Sequence, residues 1–170
     1  MTAVMTITPT WDYAAEQIVH QFDRYTRPGP IDLRVLRFDR DAMAADVRDR
    51  NDPSPLLFWS VGAEACGELM DMELWDVDEF VELLVSKQHD YGHDNINMFG
   101  IPGVAVRLCD KIARFLNLTS QAHEAANEPL VDTLRDMVGY AVLAEMLTNN
   151  TFDLHLSSDS SKWLWRGAGS

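Results

Sequence analysis

Two stretches of helical periodicity constrain this chain more than any other feature: Pro102 to Leu118, and Glu128 to Thr148. Residues three, four and seven apart share one face of an α-helix. In the first stretch Val104, Leu108, Ile112 and Phe115 make an apolar face, and Arg107, Asp110, Lys111 and Arg114 a charged stripe. In the second, Val131, Leu134, Val138, Ala141 and Met146 are apolar, while Glu128, Asp132, Asp136 and Tyr140 recur at four-residue steps. Helices of this kind bury their apolar faces against one another. The pattern predicts an antiparallel pair whose carboxylates and cations meet at one rim, where a divalent cation and a phosphate could be held.

The rest of the chain reads as further helices. Thr10 is a fair N-cap for a helix over Trp11–Tyr25, which Arg27-Pro28-Gly29-Pro30 stops. Ile31 to Phe38 alternates loosely and fits either an extended segment or a helix start. Asp39 to Arg50 is a polar helix, and Leu56 to Met72 a mostly buried one. Asp76-x-x-Glu79 is a capping-box-like start for a helix that ends near His89, where Gly92 terminates it. Tyr91 to Gly100 is a polar loop, and Pro102 suits the first residue of the helix that follows. The expected architecture is mainly α: a single-domain helical bundle over 1–170, with a frayed start over 1–9. A tail over 149–170 carries Trp163 and Trp165, available to the body or to a partner subunit.

Charge narrows the partners. With 27 acidic against 14 basic residues the net charge is −13, which argues against direct nucleic-acid binding and against an anionic membrane surface. The longest apolar run, near Leu56–Val61, is far too short to span a bilayer. Only two cysteines, Cys66 and Cys109, argue against a disulfide framework and a thiolate metal site, and no signal peptide is visible. A cytoplasmic protein is expected. An anionic small substrate stays open, because bound Mg²⁺ would reverse the local sign.

Several groupings carry chemistry, each beside a plainer reading. Asp132 and Asp136 with Glu128 could ligate Mg²⁺ through oxygen, or form a solvated acidic face. Arg107, Lys111 and Arg114 suit phosphate oxygens, and Asp110 among them is a metal ligand or their ion-pair partner. Lys87, Asp90, Tyr91 and Asn95 gather residue types that handle phosphates and bases, with Tyr91 stacking and Asn95 or Asn97 reading an edge; a simple turn explains them equally. His89 and His93 would face each other only if the helix ran through Gly92. Glu64 and Glu68, four apart on an apolar helix, face solvent or join the same polar site.

Three blocks in order carry a resemblance. They are Lys87-x-x-Asp90-Tyr91-Gly92-x-x-Asn95, Arg107-x-x-Asp110-Lys111-x-x-Arg114-x-x-Asn117-Leu118, and Glu128-Pro129-x-x-Asp132-Thr133-x-x-Asp136-x-x-x-Tyr140-Ala141. Together, over residues of about 75–148, the chain resembles the nucleotide modification associated domain family of phage proteins. A more distant similarity is to the all-α MazG-like nucleoside triphosphate pyrophosphohydrolases, through Glu64-Ala65-Cys66-Gly67-Glu68-Leu69 and Asp136-x-x-x-Tyr140. Ala65 and Thr133 stand where the MazG-like pattern has acids, so Asp110 and Asp132 would have to complete the ligand set.

These resemblances imply a Mg²⁺-dependent hydrolase or pyrophosphohydrolase acting on a nucleotide, modified or not, in the host cytoplasm. Asp110, Asp132 and Asp136 would be catalytic and, with Glu68, would hold the metal. Lys87, Asp90, Tyr91, Asn95, Arg107, Lys111, Arg114 and Tyr140 would bind substrate. MazG-like enzymes are assemblies, so a homo-oligomer is expected. Two alternatives stand beside this one: a non-catalytic protein that binds or sequesters a nucleotide, and a helical interaction module.

Overall fold

A computed structural model describes residues 9–120 and 127–157, and the backbone of these residues forms seven helices and no strand. They are α1 (Trp11–Tyr25), α2 (Leu33–Arg50), α3 (Pro55–Asp71), α4 (Val77–Tyr91), α5 (Asp94–Asn97), α6 (Gly100–Ser120) and α7 (Asn127–Thr148). The mainly-α expectation is thus met. No helix among the described residues is long and apolar enough to cross a membrane. Trp163, Trp165, the side chain of Glu128 and most of the expected frayed start lie outside the described residues.

Local chemistry sets the boundaries. The Tyr13 amide donates to Thr10 Oγ1 at 3.3 Å, and the Glu79 amide to Asp76 Oδ1 at 2.9 Å, so both expected caps form. Asp32 caps α2 in the same way, accepting from the Arg34 and Val35 amides at 2.9 and 3.4 Å. The open reading of Ile31–Phe38 therefore resolves to a helix start at Leu33, after a non-helical Ile31 and an extended Asp32. The loop expected over Tyr91–Gly100 is corrected in part: Tyr91 still belongs to α4, and Asp94–Asn97 makes one helical turn. Gly92, at φ +68°, supplies the left-handed kink between them. Pro102 is not the first residue of its helix, which opens at Gly100, but it still lies in the first turn, where its missing N–H is no loss.

The core lies where α7 packs on α3 and α6, its most extensive partners. Both expected apolar faces are buried, Val104, Leu108, Ile112 and Phe115 on α6 and Val131, Leu134, Val138, Ala141 and Met146 on α7. The α3 helix comes unusually close: a Cβ on Gly62 would stand 2.7 Å from Ala141 Cβ and 2.7 Å from the Phe22 ring. Phe22 also stacks on Trp59, with ring centroids 4.3 Å apart. Around this core, α2 covers α6 and α3, while α1 covers α4 and α7.

Residues 152–157 return to α1. The Trp11 amide donates to the His155 carbonyl at 2.9 Å, and Asp12 accepts from the Ser157 amide and hydroxyl at 2.9 and 2.8 Å. Burial pushes the Asp12 carboxyl up, but these bonds, with its own amide and Thr10, bring it below the ordinary carboxylate range. This clasp holds Trp11 in the wall of a cavity.

Candidate functional site

The cavity has a volume of about 460 Å³ and lies between α4, α5, α6 and α7, with Trp11 of α1 in its wall. That size suits a small organic ligand. Its apolar lining includes Phe80 and Leu84 on α4 and Leu143 on α7, with the half-buried Tyr140 beside them. Its charges are unlike the rest of the surface. Among the described residues Lys87, Arg107, Lys111 and Arg135 line it, against Asp136 as the one acid. In a chain of net charge −13, this is a local excess of three positive charges.

Helix geometry explains the gathering. Lys87 stands one turn before the end of α4, while Arg107 and Lys111 stand one turn apart on α6. On α7, Arg135, Gly139 and Leu143 share a face at four-residue steps, with Asp136 and Tyr140 on the adjoining row. Asp136 is the hub. Its Oδ1 lies 3.0 Å from Lys87 Nζ and its Oδ2 3.0 Å from Lys111 Nζ, so each carboxylate oxygen holds one ammonium. Arg107 donates from Nη2 to the Asn95 carbonyl at 3.2 Å, tying α5 to α6. Its guanidinium has donors left for a ligand.

Of the residues proposed from sequence, the cavity brings together Lys87, Tyr91, Asn95, Arg107, Lys111, Asp136 and Tyr140. It does not bring in the others. Arg114 is exposed and outside the lining. Asp90 is exposed, with His89 Nδ1 3.7 Å away as its neighbour. Asp110 is exposed on α6, and Asp132 is exposed with Arg135 Nη1 at 3.9 Å. Glu68 lies on α3, where its Oε2 accepts the Ile31 amide at 2.7 Å.

The expected ligand set for Mg²⁺ therefore does not converge. Among the described residues no three His, Cys, Asp or Glu side chains are grouped so as to hold a metal ion. Asp136 is separated from Asp132 by one turn, about 6 Å of rise, and that turn carries Asp132 out of the lining. No reaction step is assigned to a metal on this donor set.

Residues that the sequence reading did not single out also enter the wall: Arg135, Gln88, Phe80 and Trp11. Arg135 was legible in principle, since Arg135, Gly139 and Leu143 repeat at helical spacing with a glycine in the middle. Trp11 gave no such signal, because its place depends on the clasp to residues 155–157. Its buried indole N–H has no hydrogen-bond partner among the described residues.

A second group of acids lies elsewhere. Asp39 on α2 is buried and accepts a hydrogen bond from the Ser60 hydroxyl. Glu64 Oε2 accepts the Asp32 amide at 3.2 Å. Burial pushes both Asp39 and Glu64 up, the Ser60 and Asp32 bonds oppose it, and the Asp32, Asp39 and Glu68 charges raise Glu64 further. These carboxylates hold the α2 start and the preceding turn against α3. Both cysteines are free as expected; burial pushes the Cys66 thiol up to about 12 and raises that of the half-buried Cys109.

Compared with protein-family models, curated proteins and solved structures, the chain matches none of them.

Proposed function

We propose that the cavity binds a nucleotide or nucleoside phosphate, with its phosphate on Lys87, Arg107 and Lys111 and its base against the aromatic lining. One observation carries the reading: four cations converge on an apolar and aromatic pocket in an otherwise acidic chain. Phosphate oxygens accept charge-assisted hydrogen bonds from lysine and arginine, and a nearly planar base is buried by rings and leucines. In this reading Asp136 is the counter-charge that keeps the two lysines parallel and in place before the ligand arrives. The resemblance to the phage nucleotide modification associated family, resting on its three motif blocks, points the same way. The protein would act on soluble nucleotides in the cytoplasm.

Binding without turnover is favoured over hydrolysis, because the one carboxylate that the described residues bring to the lining is already engaged by both lysines. Self-association is part of the proposal, supported by exposed Phe38, Leu56, Met98 and Phe99. The deciding experiment is titration calorimetry of the full chain with nucleoside mono-, di- and triphosphates, with and without Mg²⁺, while released phosphate and pyrophosphate are measured. Saturable binding with no product supports a binding protein. Product released only with Mg²⁺ restores the hydrolase. No binding by any phosphate compound ends the proposal. Sedimentation of the same sample tests self-association, and a monomer at micromolar concentration overturns that part.

A further inference from the structure

Asn95 and Asn97 flank Ile96 on the single turn of α5, and they are placed very differently. Asn97 is engaged: its Nδ2 donates to Asp153 Oδ1 at 2.6 Å. Asn95 lines the cavity, and its side-chain Oδ1 is sealed from water with no hydrogen-bond partner among the described residues. Its backbone, by contrast, is fixed, because its carbonyl accepts from Arg107 Nη2 at 3.2 Å. An anchored main chain beside the cations thus carries a carboxamide that no side-chain hydrogen bond restrains.

An unpaired buried acceptor is unfavourable, and turning this carboxamide toward the cavity breaks no hydrogen bond in the wall. There it would offer a donor and an acceptor side by side. That is the arrangement asparagine uses to pair with the edge of a nucleobase. Either orientation of the amide serves, since base edges also carry donors next to acceptors. Tyr91, four residues earlier and also in the lining, is 68% exposed, so one ring is free to stack. A sugar phosphate has neither the planar face nor the adjoining donor and acceptor on a ring edge.

Resting on the proposal that the cavity takes a phosphorylated ligand, we infer that Asn95 reads the base of a nucleoside phosphate, and so sets specificity against sugar phosphates and bare polyphosphates. Asn97 has no part in it. Lys87 and Lys111 contribute phosphate affinity that is blind to the base.

The test is calorimetry of the full chain with adenosine, guanosine, cytidine and uridine monophosphates, ribose 5-phosphate and inorganic pyrophosphate. Wild type is compared with Asn95→Leu, which keeps similar bulk and removes both polar ends. The expected result is that at least one nucleoside monophosphate binds about tenfold or more tighter than ribose 5-phosphate, and that Asn95→Leu loses this advantage while ribose 5-phosphate binding is unchanged. Equal binding of ribose 5-phosphate and every nucleoside monophosphate overturns the inference and leaves the phosphate site standing. So does a well-folded Asn95→Leu that keeps full discrimination. Should Asn95→Leu lose helical circular dichroism, the wild-type comparison decides alone. No binding of any phosphate compound overturns both the inference and the reading beneath it.

Discussion

Asp136 is half-buried and Asp39 buried, and the protein treats them in opposite ways. Asp136 stands between two lysines in the wall of a cavity. Asp39 has the Ser60 hydroxyl as its hydrogen-bond partner and another acid, Glu64, close enough to feel its charge. An ion-paired carboxylate facing a cavity can exchange its partners with an incoming anion. A carboxylate buried against a hydroxyl and neighbouring acids has no such exchange to make, and its role is to join helices. Acidic residues that look alike in the sequence are therefore divided between recognition and architecture by whether cations come to meet them.

The largest expected effect is on the recognition side. Replacing Lys87 and Lys111 together by Ala removes two charge-assisted bonds of about 1.5–3 kcal/mol each, so phosphate affinity should fall by about a hundredfold or more. Calorimetry checks this, and a loss below about tenfold would mean that the cations are not the phosphate seat.

Asp136→Asn sharpens the contrast further. With its counter-charge gone, the lysine pair should bind a monophosphate about tenfold more tightly, the worth of one charged hydrogen bond. Weaker binding without Mg²⁺ would instead mean that holding the lysines in place outweighs competing for them, and a loss seen only with Mg²⁺ would mark Asp136 as a ligand to a metal.

On the architectural side, Ser60→Ala leaves the Asp39 carboxylate buried without its donor. It should lower stability by about 1–3 kcal/mol at neutral pH in urea unfolding and leave phosphate affinity unchanged. A change in affinity would show that the two acidic groups communicate.

The smallest effect is a pH dependence. Asp39 and Glu64 are raised in the folded state above 3.8 and 4.5, their ordinary values. Through the window from those values up to the folded ones, the native state binds more protons than the unfolded chain, so their contribution makes stability fall as pH rises. Glu64→Gln should flatten that slope and raise neutral-pH stability by less than about 1 kcal/mol. A steeper slope in the variant would contradict the assignment.

Much of the fold was written in periodicity and caps. The apolar faces of α6 and α7 and the capping side chains of Thr10 and Asp76 act as the sequence implies. The α2 start was blurred because Val35 and Phe38 are exposed, which spoils its apolar stripe. In the site, Arg107, Lys111 and Asp136 were legible as stripe residues, and Lys87 as the first member of the group that runs to Asn95. Asp110 and Arg114 lie on the same α6 stripe yet outside the lining, because residues three and seven apart differ in angle and height on a helix and a cavity samples only part of a face. Asp39 gave no local signal at all, since its burial comes from the packing of α2 on α3 and α6.

The clasp between α1 and residues 155–157 has a consequence for how the protein is made. The Asp12–Ser157 bonds join positions 145 apart, so they close nearly the whole described length of the chain. Contacts that distant carry a large loop-closure entropy and form late in folding. On a ribosome, Trp11 emerges well before residues 155–157, which fix it beside the cavity. The core of α3, α6 and α7 can therefore assemble before the pocket has its complete wall, and ligand competence should be among the last properties a nascent chain acquires.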